Sequence, residues 1–232
     1  MNKIEQYKRG IKCGLSIGLG YLSVSFAFGM MAVNSSIPLH MAVLMSLTNL
    51  TSAGQFAAIS IIVQNLSLVE MFLTQLTINL RYALMSLSLS QKLDPNISLP
   101  KRMLMAFANT DEIFVIASRE KQVKYYFFLG LITTPIIGWT FGTFLGGYAT
   151  NLMSESLKSA LGIALYAMFI AIIIPPAKHD KNVLFVLLIS ICLSSLLYYL
   201  DFFSFIGSGF SIIIVTLISA AIMAYIKPVE EL

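Results

Sequence analysis

Residues 48–57 read Thr-Asn-Leu-Thr-Ser-Ala-Gly-Gln-Phe-Ala and lie between two strongly apolar runs. A simple membrane anchor would carry leucine and isoleucine here, whereas this stretch carries amides, hydroxyls and a glycine. On a continuous helix, Thr48, Ser52 and Gln55 fall at i, i+4 and i+7 and form one polar stripe. Because unpaired polar groups are costly in hydrocarbon, we expect this stripe to face protein, water or a solute.

The composition places the chain in a lipid bilayer. Of its 232 residues, 57% are hydrophobic and 11% are charged, whereas soluble domains carry about 25% charged residues. A membrane-spanning helix needs about 20 apolar residues, so the length allows six or seven spans with short loops. The net charge of +4 is small and sits in loops, which fits a membrane protein better than a nucleic-acid-binding one.

We therefore expect an all-α integral membrane protein with a single transmembrane transport domain at residues 13–232. A polar leader at residues 1–12 precedes it and carries four basic residues against one glutamate. This excess of positive charge before the first span favours a cytoplasmic N-terminus. The apolar runs expected to form helices are residues 13–33, 41–63, 71–89, 125–150, 157–174, 182–200 and 205–226.

The positions of the basic residues indicate that one early element is not a simple spanning helix. Three full spans before Gln91 would put the basic region 92–124 outside, against the positive-inside tendency. Either one of the first three runs does not fully cross, or residues 103–118 cross as a short or broken element. We expect a broken or re-entrant element at Ser52–Gln55 or at Asn109–Glu112, since transporters often bind substrate at such elements.

Run 71–89 carries a second polar face, with Arg81 beside it. At helical rise, Arg81 lies roughly 12 Å from the polar end of its run. Its guanidinium either extends to the membrane interface or pairs inside the protein with Asp111, Glu112 or a substrate carboxylate. The residues of this face are Gln75, Asn79, Tyr82 and Ser86.

Motifs for enzymes and metals are absent from the sequence. There is no nucleotide-binding GK[ST] loop and no HExxH zinc motif. Cys13 and Cys192 lie far apart, without the spacing of metal ligands. Gly207-Ser208-Gly209 is only part of a serine-hydrolase elbow. We expect no enzyme activity, no cofactor and no bound metal.

Five short motifs occur in an order that is similar to one membrane-protein family. They are Tyr21-Leu-Ser-Val-Ser-Phe-Ala-Phe-Gly29, Ala53-Gly-Gln-Phe56, Asn79-Leu-Arg-Tyr82, Thr110-Asp-Glu-Ile-Phe114 and Trp139-Thr-Phe-Gly-Thr143. The chain resembles the AzlC family, the larger subunit of two-component branched-chain amino-acid exporters, from about residue 10 to about residue 176. It departs from the family pattern at Leu161-Gly-Ile-Ala164, where many members carry an acidic residue.

The resemblance implies a plasma-membrane exporter of leucine, isoleucine and valine that works with a small AzlD-like membrane subunit. The residues fit such a zwitterionic substrate, since Arg81 could bind its carboxylate and amides and hydroxyls its ammonium group. Asp111 and Glu112 are candidates for proton coupling or ion pairing. The alternative is a non-transporting membrane scaffold or a subunit of a larger complex. The substrate or pathway candidates are Asn49, Ser52, Gln55, Phe56, Asn79, Arg81 and Tyr82.

Overall fold

The structure is a computed structural model, and it describes residues 2–154, 156, 170, 173–200 and 205–227. Run 157–174 lies mostly, and Leu161–Ala164 wholly, outside the described residues. The helices, in chain order, are α1 (Lys3–Asn34), α2 (Leu39–Thr48), α3 (Ala53–Val63), α4 (Leu68–Ser90), α5 (Leu99–Phe107), α6 (Asp111–Ser118), α7 (Tyr125–Leu152), α8 (Lys181–Tyr199) and α9 (Ser208–Ile226).

The predicted all-α membrane class is confirmed. The part of the chain that the structure describes contains no β-sheet. Within that part, four helices are long and apolar enough to cross a membrane. These helices are Lys3–Asn34, Tyr125–Thr150, Lys181–Tyr199 and Ser208–Ile226. The total of six or seven spans stays a prediction.

The chain folds into two compact units. The first unit is Met1–Phe56 with Asn79–Ser154, and the second is Ala57–Ile78 with Glu155–Leu232. The units therefore share helices α3 and α4, each of which contributes one part to each unit.

Helices α1 and α7 pack along each other in the first unit, and glycines allow the contact. A Cβ atom at Gly138 on α7 would lie 2.2 Å from the carbonyl oxygen of Gly18 on α1. A Cβ atom at Gly146 would likewise overlap the Phe26 carbonyl oxygen. Small residues let two membrane helices approach until their backbones touch. This close packing stabilises the pair, because the hydrophobic effect does not drive helices together in lipid.

Helix α1 begins within the polar leader. The Glu5 backbone N–H donates to Asn2 Oδ1 at 2.8 Å, and the Asn2 N–H donates to Glu5 Oε2 at 3.0 Å. This reciprocal cap satisfies two N–H groups that a helix start leaves unpaired. Residues 3–12 are therefore the first turns of α1 rather than a separate segment.

The expected interruption of run 41–63 is present. Helix α2 ends at Thr48 and α3 starts at Ala53, and Ser52 between them has φ 33°, in the left-handed region. The prediction of a broken element is confirmed, but the break covers Asn49–Ser52 rather than Ser52–Gln55, because α3 already begins at Ala53. The continuous polar stripe through Thr48, Ser52 and Gln55 is wrong, because the backbone changes direction at Asn49–Ser52 and the helical phase is lost.

A second interruption separates α5 from α6 at residues 108–110. The chain after α6 comes back to the residues that precede α5. The Val123 N–H donates to the Lys92 carbonyl at 2.8 Å, and Lys92 Nζ donates to the Ser118 carbonyl at 2.6 Å. Residues 92 and 118–123 therefore lie together within the first unit. This contradicts the alternative in which residues 103–118 cross the membrane.

Candidate functional site

A cavity of about 250 Å³ lies in the first unit, where the two helix interruptions meet the middle of α4. Its wall combines amides and hydroxyls with apolar side chains. The lining residues are Asn49, Leu50 and Thr51 from the α2–α3 interruption, Asn79 and Tyr82 from α4, and Ala106, Phe107, Asn109 and Thr110 from the α5–α6 interruption.

The interruptions bring helix ends to the cavity. Asn49 caps the C-terminal end of α2 and Thr110 caps the N-terminal end of α6. Helix ends leave backbone C=O and N–H groups without intrahelical partners. Membrane transporters with discontinuous helices use such ends to bind charged or polar parts of a substrate.

Asn109 offers a buried acceptor at this cavity. Its residue is 4% exposed, and its Nδ2 donates to Ser86 Oγ at 3.0 Å. Its Oδ1 is buried and accepts no hydrogen bond from the described residues. Since buried polar atoms are almost always satisfied, this oxygen is suited to a donor supplied by a ligand or water.

An ion pair stands at the cavity edge. Arg81 Nη1 lies 2.7 Å from Asp111 Oδ2, and the two side chains are 51% and 43% exposed. Arg81 Nη2 also donates to the Tyr82 hydroxyl at 3.0 Å. Of the two acidic partners considered for Arg81, the structure pairs it with Asp111. Because Tyr82 and Thr110 are their chain neighbours, both charges adjoin the cavity wall.

Glu112 binds a different partner, Tyr21 on α1. The Tyr21 hydroxyl donates to Glu112 Oε2 at 2.5 Å and lies 2.6 Å from Thr110 Oγ1. The Tyr21 ring also meets Trp139 edge-on, with centroids 5.3 Å apart. These contacts attach the start of α6 to α1 and α7 and so hold the cavity wall in place.

Gln55 belongs to a closed hydrogen-bond ring rather than to the cavity wall. Trp139 Nε1–H donates to Gln55 Oε1 at 2.8 Å, and Gln55 Nε2 donates to Ser46 Oγ at 3.0 Å. Ser46 Oγ lies 2.7 Å from Thr143 Oγ1, which donates to the Trp139 carbonyl at 3.0 Å. Gln55 is fully buried. Its amide therefore joins α2, α3 and α7, which is a structural role.

Two other pathway candidates also have structural surroundings. Phe56 is 7% exposed and packs edge-on against Phe28, with centroids 5.6 Å apart. Ser52 forms the turn, where its carbonyl accepts from the Phe56 N–H at 3.1 Å. Neither residue lines the cavity. The predicted residues that do line it are Asn49, Asn79 and Tyr82, with Arg81 beside them.

The sequence interpretation did not include Thr51, Asn109 and Thr110 of the cavity wall among its substrate candidates. Thr51 donates to Asn79 Oδ1, and both residues line the cavity with Asn109. The signal that could have found them is the pair of polar interruptions in apolar runs, at Asn49–Ser52 and Asn109–Thr110. If both segments are interpreted as helix breaks, they identify the two interruptions that line the cavity.

Comparisons with known proteins point to one family of membrane proteins. The model of the AzlC protein family matches residues 16–153. A protein of Archaeoglobus fulgidus described as an uncharacterized membrane protein is 30% identical over 183 residues, which cover 77% of this chain and 79% of that protein. Inner membrane protein YgaZ of Escherichia coli is 24% identical over 184 residues, which cover 76% and 75%. No solved structure matches significantly. This chain therefore belongs to the AzlC family of membrane proteins.

Proposed function

We propose that the chain is the carrier subunit of an exporter of branched-chain amino acids in the cell membrane. In this proposal it acts as a transporter, not as an enzyme, and works with a small AzlD-like membrane subunit. The observation that supports it most is the convergence of two helix interruptions and the middle of α4 on one cavity. Discontinuous helices around a central cavity are typical of substrate sites in secondary transporters.

The charges at the cavity edge suit a zwitterion. An amino acid carries one carboxylate and one ammonium group, and the Arg81–Asp111 pair offers one charge of each sign. Since exposed ion pairs contribute about 0–1 kcal/mol, a substrate can separate this half-exposed pair at low cost. Arg81 then binds the carboxylate in charge-assisted hydrogen bonds, while Asp111 and Asn109 Oδ1 accept from the ammonium group.

The apolar wall suits a short hydrocarbon side chain. Leu50, Ala106 and Phe107 line the cavity beside the polar groups. The volume of about 250 Å³ is below the roughly 300 Å³ at which small-molecule pockets usually begin. It therefore fits a single amino acid better than a peptide. One methylene of contact is worth about 1–3 kcal/mol, which separates leucine or valine from smaller amino acids.

The distribution of basic residues supports a cytoplasmic N-terminus. Arg9 at the start of α1 pairs with Glu120, and Lys101 lies over the Tyr125 ring, 4.9 Å from its centroid. Together with Lys92, these cations gather at the end of the first unit where α1 and α7 begin. The positive-inside tendency therefore favours a cytoplasmic location for this end.

The test is efflux of radiolabelled leucine from preloaded vesicles, with this chain alone and with its small partner. Arg81→Ala removes a charge-assisted contact worth about 1.5–3 kcal/mol, so we expect roughly a 10- to 100-fold loss of apparent affinity. Arg9→Ala is the matched control, because it breaks a different ion pair, with Glu120, and neither of these residues lines the cavity.

The outcomes separate the parts of the proposal. Full export by Arg81→Ala would contradict the site and favour a non-transporting scaffold or subunit. Export by this chain alone would remove the need for the partner. If neither preparation exports leucine, isoleucine or valine, the proposed cargo is wrong.

A further inference from the structure

Glu70 carries a buried carboxyl group that lies outside the candidate site described above. It lies in the first turn of α4, within the second unit, and is 4% exposed. The ion pairs among the described residues join other side chains. Acidic side chains are almost never so buried unless they are paired, so this carboxyl group calls for a functional explanation.

The start of α9 is built around this carboxyl group. The Phe210 backbone N–H donates to Glu70 Oε1 at 3.1 Å. A Cβ atom at Gly207 would lie within 3 Å of both carboxyl oxygens, and one at Gly209 would lie 2.7 Å from Glu70 Cγ. The glycines thus allow the carboxyl group to touch the α9 backbone. The positive end of the helix favours a negative charge there, but a single hydrogen bond replaces little of the lost hydration.

Two hydroxyl groups beside the carboxyl group have no hydrogen-bond partner among the residues that the structure describes. Thr74, one turn after Glu70 on α4, is fully buried, and neither its Oγ1 nor Ser208 Oγ is hydrogen-bonded there. Thr74 Oγ1 and Glu70 Oε1 lie 2.6 Å and 2.9 Å from one point, the Cβ position at Gly209. A neutral carboxyl group has one O–H donor. Thr74 Oγ1, which makes no hydrogen bond to the carboxyl group in this structure, is the neighbouring oxygen that can accept from it after a side-chain rotation.

Within the described part of the chain, no other titratable group faces the carboxyl group from the elements that touch it. On α4 its neighbours are Ser67, whose Oγ accepts from the Glu70 N–H at 3.1 Å, and Thr74. At the start of α9 they are residues 207–210, two glycines, a serine and a phenylalanine. Protonation at this place therefore involves Glu70 itself.

We propose that the Glu70 carboxyl group is a proton-binding site of the carrier. The carboxylate takes a proton from a hydronium ion of the solvent, an O–H bond forms, a water molecule is left behind, and the charge of the group changes from −1 to 0; in the reverse step the proton passes to a water molecule and regenerates hydronium. In the neutral state the O–H donates to Thr74 Oγ1, and the charge that attracts the N-terminal end of α9 is lost. The contact between α4 and α9 thus depends on protonation. Use of this proton to drive export rests on the proposed function, whereas proton binding does not.

Infrared difference spectroscopy of the full chain in vesicles, titrated from alkaline to acidic pH, tests proton binding without transport. We expect a carboxylic-acid C=O band that disappears in Glu70→Gln and persists in the control Glu5→Gln, whose side chain is exposed. The amide introduced by Glu70→Gln retains an oxygen that accepts from Phe210 N–H, so the fold should survive. In Thr74→Val the band should shift, because the O–H loses its acceptor. A titration in which wild type and Glu70→Gln give the same spectra would overturn the proposal.

Transport supplies the second readout. With an imposed pH gradient, we expect leucine efflux by the wild type to change with the gradient and efflux by Glu70→Gln to be indifferent to it. Gradient dependence that persists unchanged in Glu70→Gln would show that Glu70 does not couple export to protons. If the wild type moves no amino acid at all, the proposed function fails, while the infrared titration still decides proton binding.

Discussion

Replacing Gln55 by methionine tests whether its amide is structural. The substitution keeps an unbranched side chain of similar length, so the main change is the loss of two hydrogen bonds. Trp139 Nε1–H loses its acceptor, and Ser46 Oγ loses a donor. Trp139 is 2% exposed, so water cannot take the place of the amide oxygen.

The two losses differ in size. A buried donor left unsatisfied costs about 1–3 kcal/mol. Ser46 keeps its contact with Thr143, so its loss is nearer the average of about 0.6 kcal/mol for hydrogen bonds between membrane helices. We expect Gln55→Met to lower the free energy of unfolding by roughly 2–3 kcal/mol.

The assay is denaturant unfolding of the full chain in detergent micelles, arranged as a double-mutant cycle. The variants are Gln55→Met, Trp139→Phe and the double substitution. The double variant removes donor and acceptor together, so its loss should be smaller than the sum of the single losses by about 0.6–1.7 kcal/mol. Gln91→Met is the control, since Gln91 is exposed after α4 and should change stability by about 0.5 kcal/mol or less.

Additive single losses would refute the reasoning, because they would mean that Gln55 and Trp139 do not interact. The function of Gln55 as a pathway residue, which the sequence suggested, makes the opposite prediction. A pathway residue would lose export while the free energy of unfolding stayed unchanged.

Three further experiments test the fold and the topology. Gly138→Ala should destabilise the chain by about 1–3 kcal/mol through overpacking, whereas Gly20→Ala, which has open space around its Cβ position, should gain up to about 1 kcal/mol of helix propensity; equal thermal unfolding of the two would contradict the α1–α7 contact. Ser52→Gly should gain about 1 kcal/mol by relieving its left-handed backbone, and an unfolding temperature below that of the wild type would argue against that conformation. In a cysteine-free background, a cysteine at Ser36 should react with an impermeant maleimide from outside and one at Lys92 only after permeabilisation; the reverse pattern would overturn the cytoplasmic N-terminus.

The sequence by itself determined the membrane class and indicated a helix break at Ser52–Gln55 or Asn109–Glu112, within a few residues of the observed breaks. Lipid cannot hydrogen-bond to a chain, so hydropathy has to show locally, residue by residue, which segments are in the bilayer. For the same reason, the polar cluster at 48–57 could not be an ordinary lipid-facing helix. The sequence also identified three residues of the cavity wall, because Asn49 lies in this polar cluster and Asn79 and Tyr82 share one polar face of run 71–89.

Only the tertiary structure decided which polar groups face the cavity and which satisfy one another. Helical phase is lost at each interruption, as at Ser52 with its φ of 33°, so the spacing through residues 48–57 could not assign faces. Gln55 therefore looked like a pathway residue but bonds to Trp139, 84 positions away. Neither Asn109 nor Glu70 stands out as a site residue in the sequence, yet packing from distant segments buries both. Such pairings depend on which segments meet in space, which local sequence does not encode.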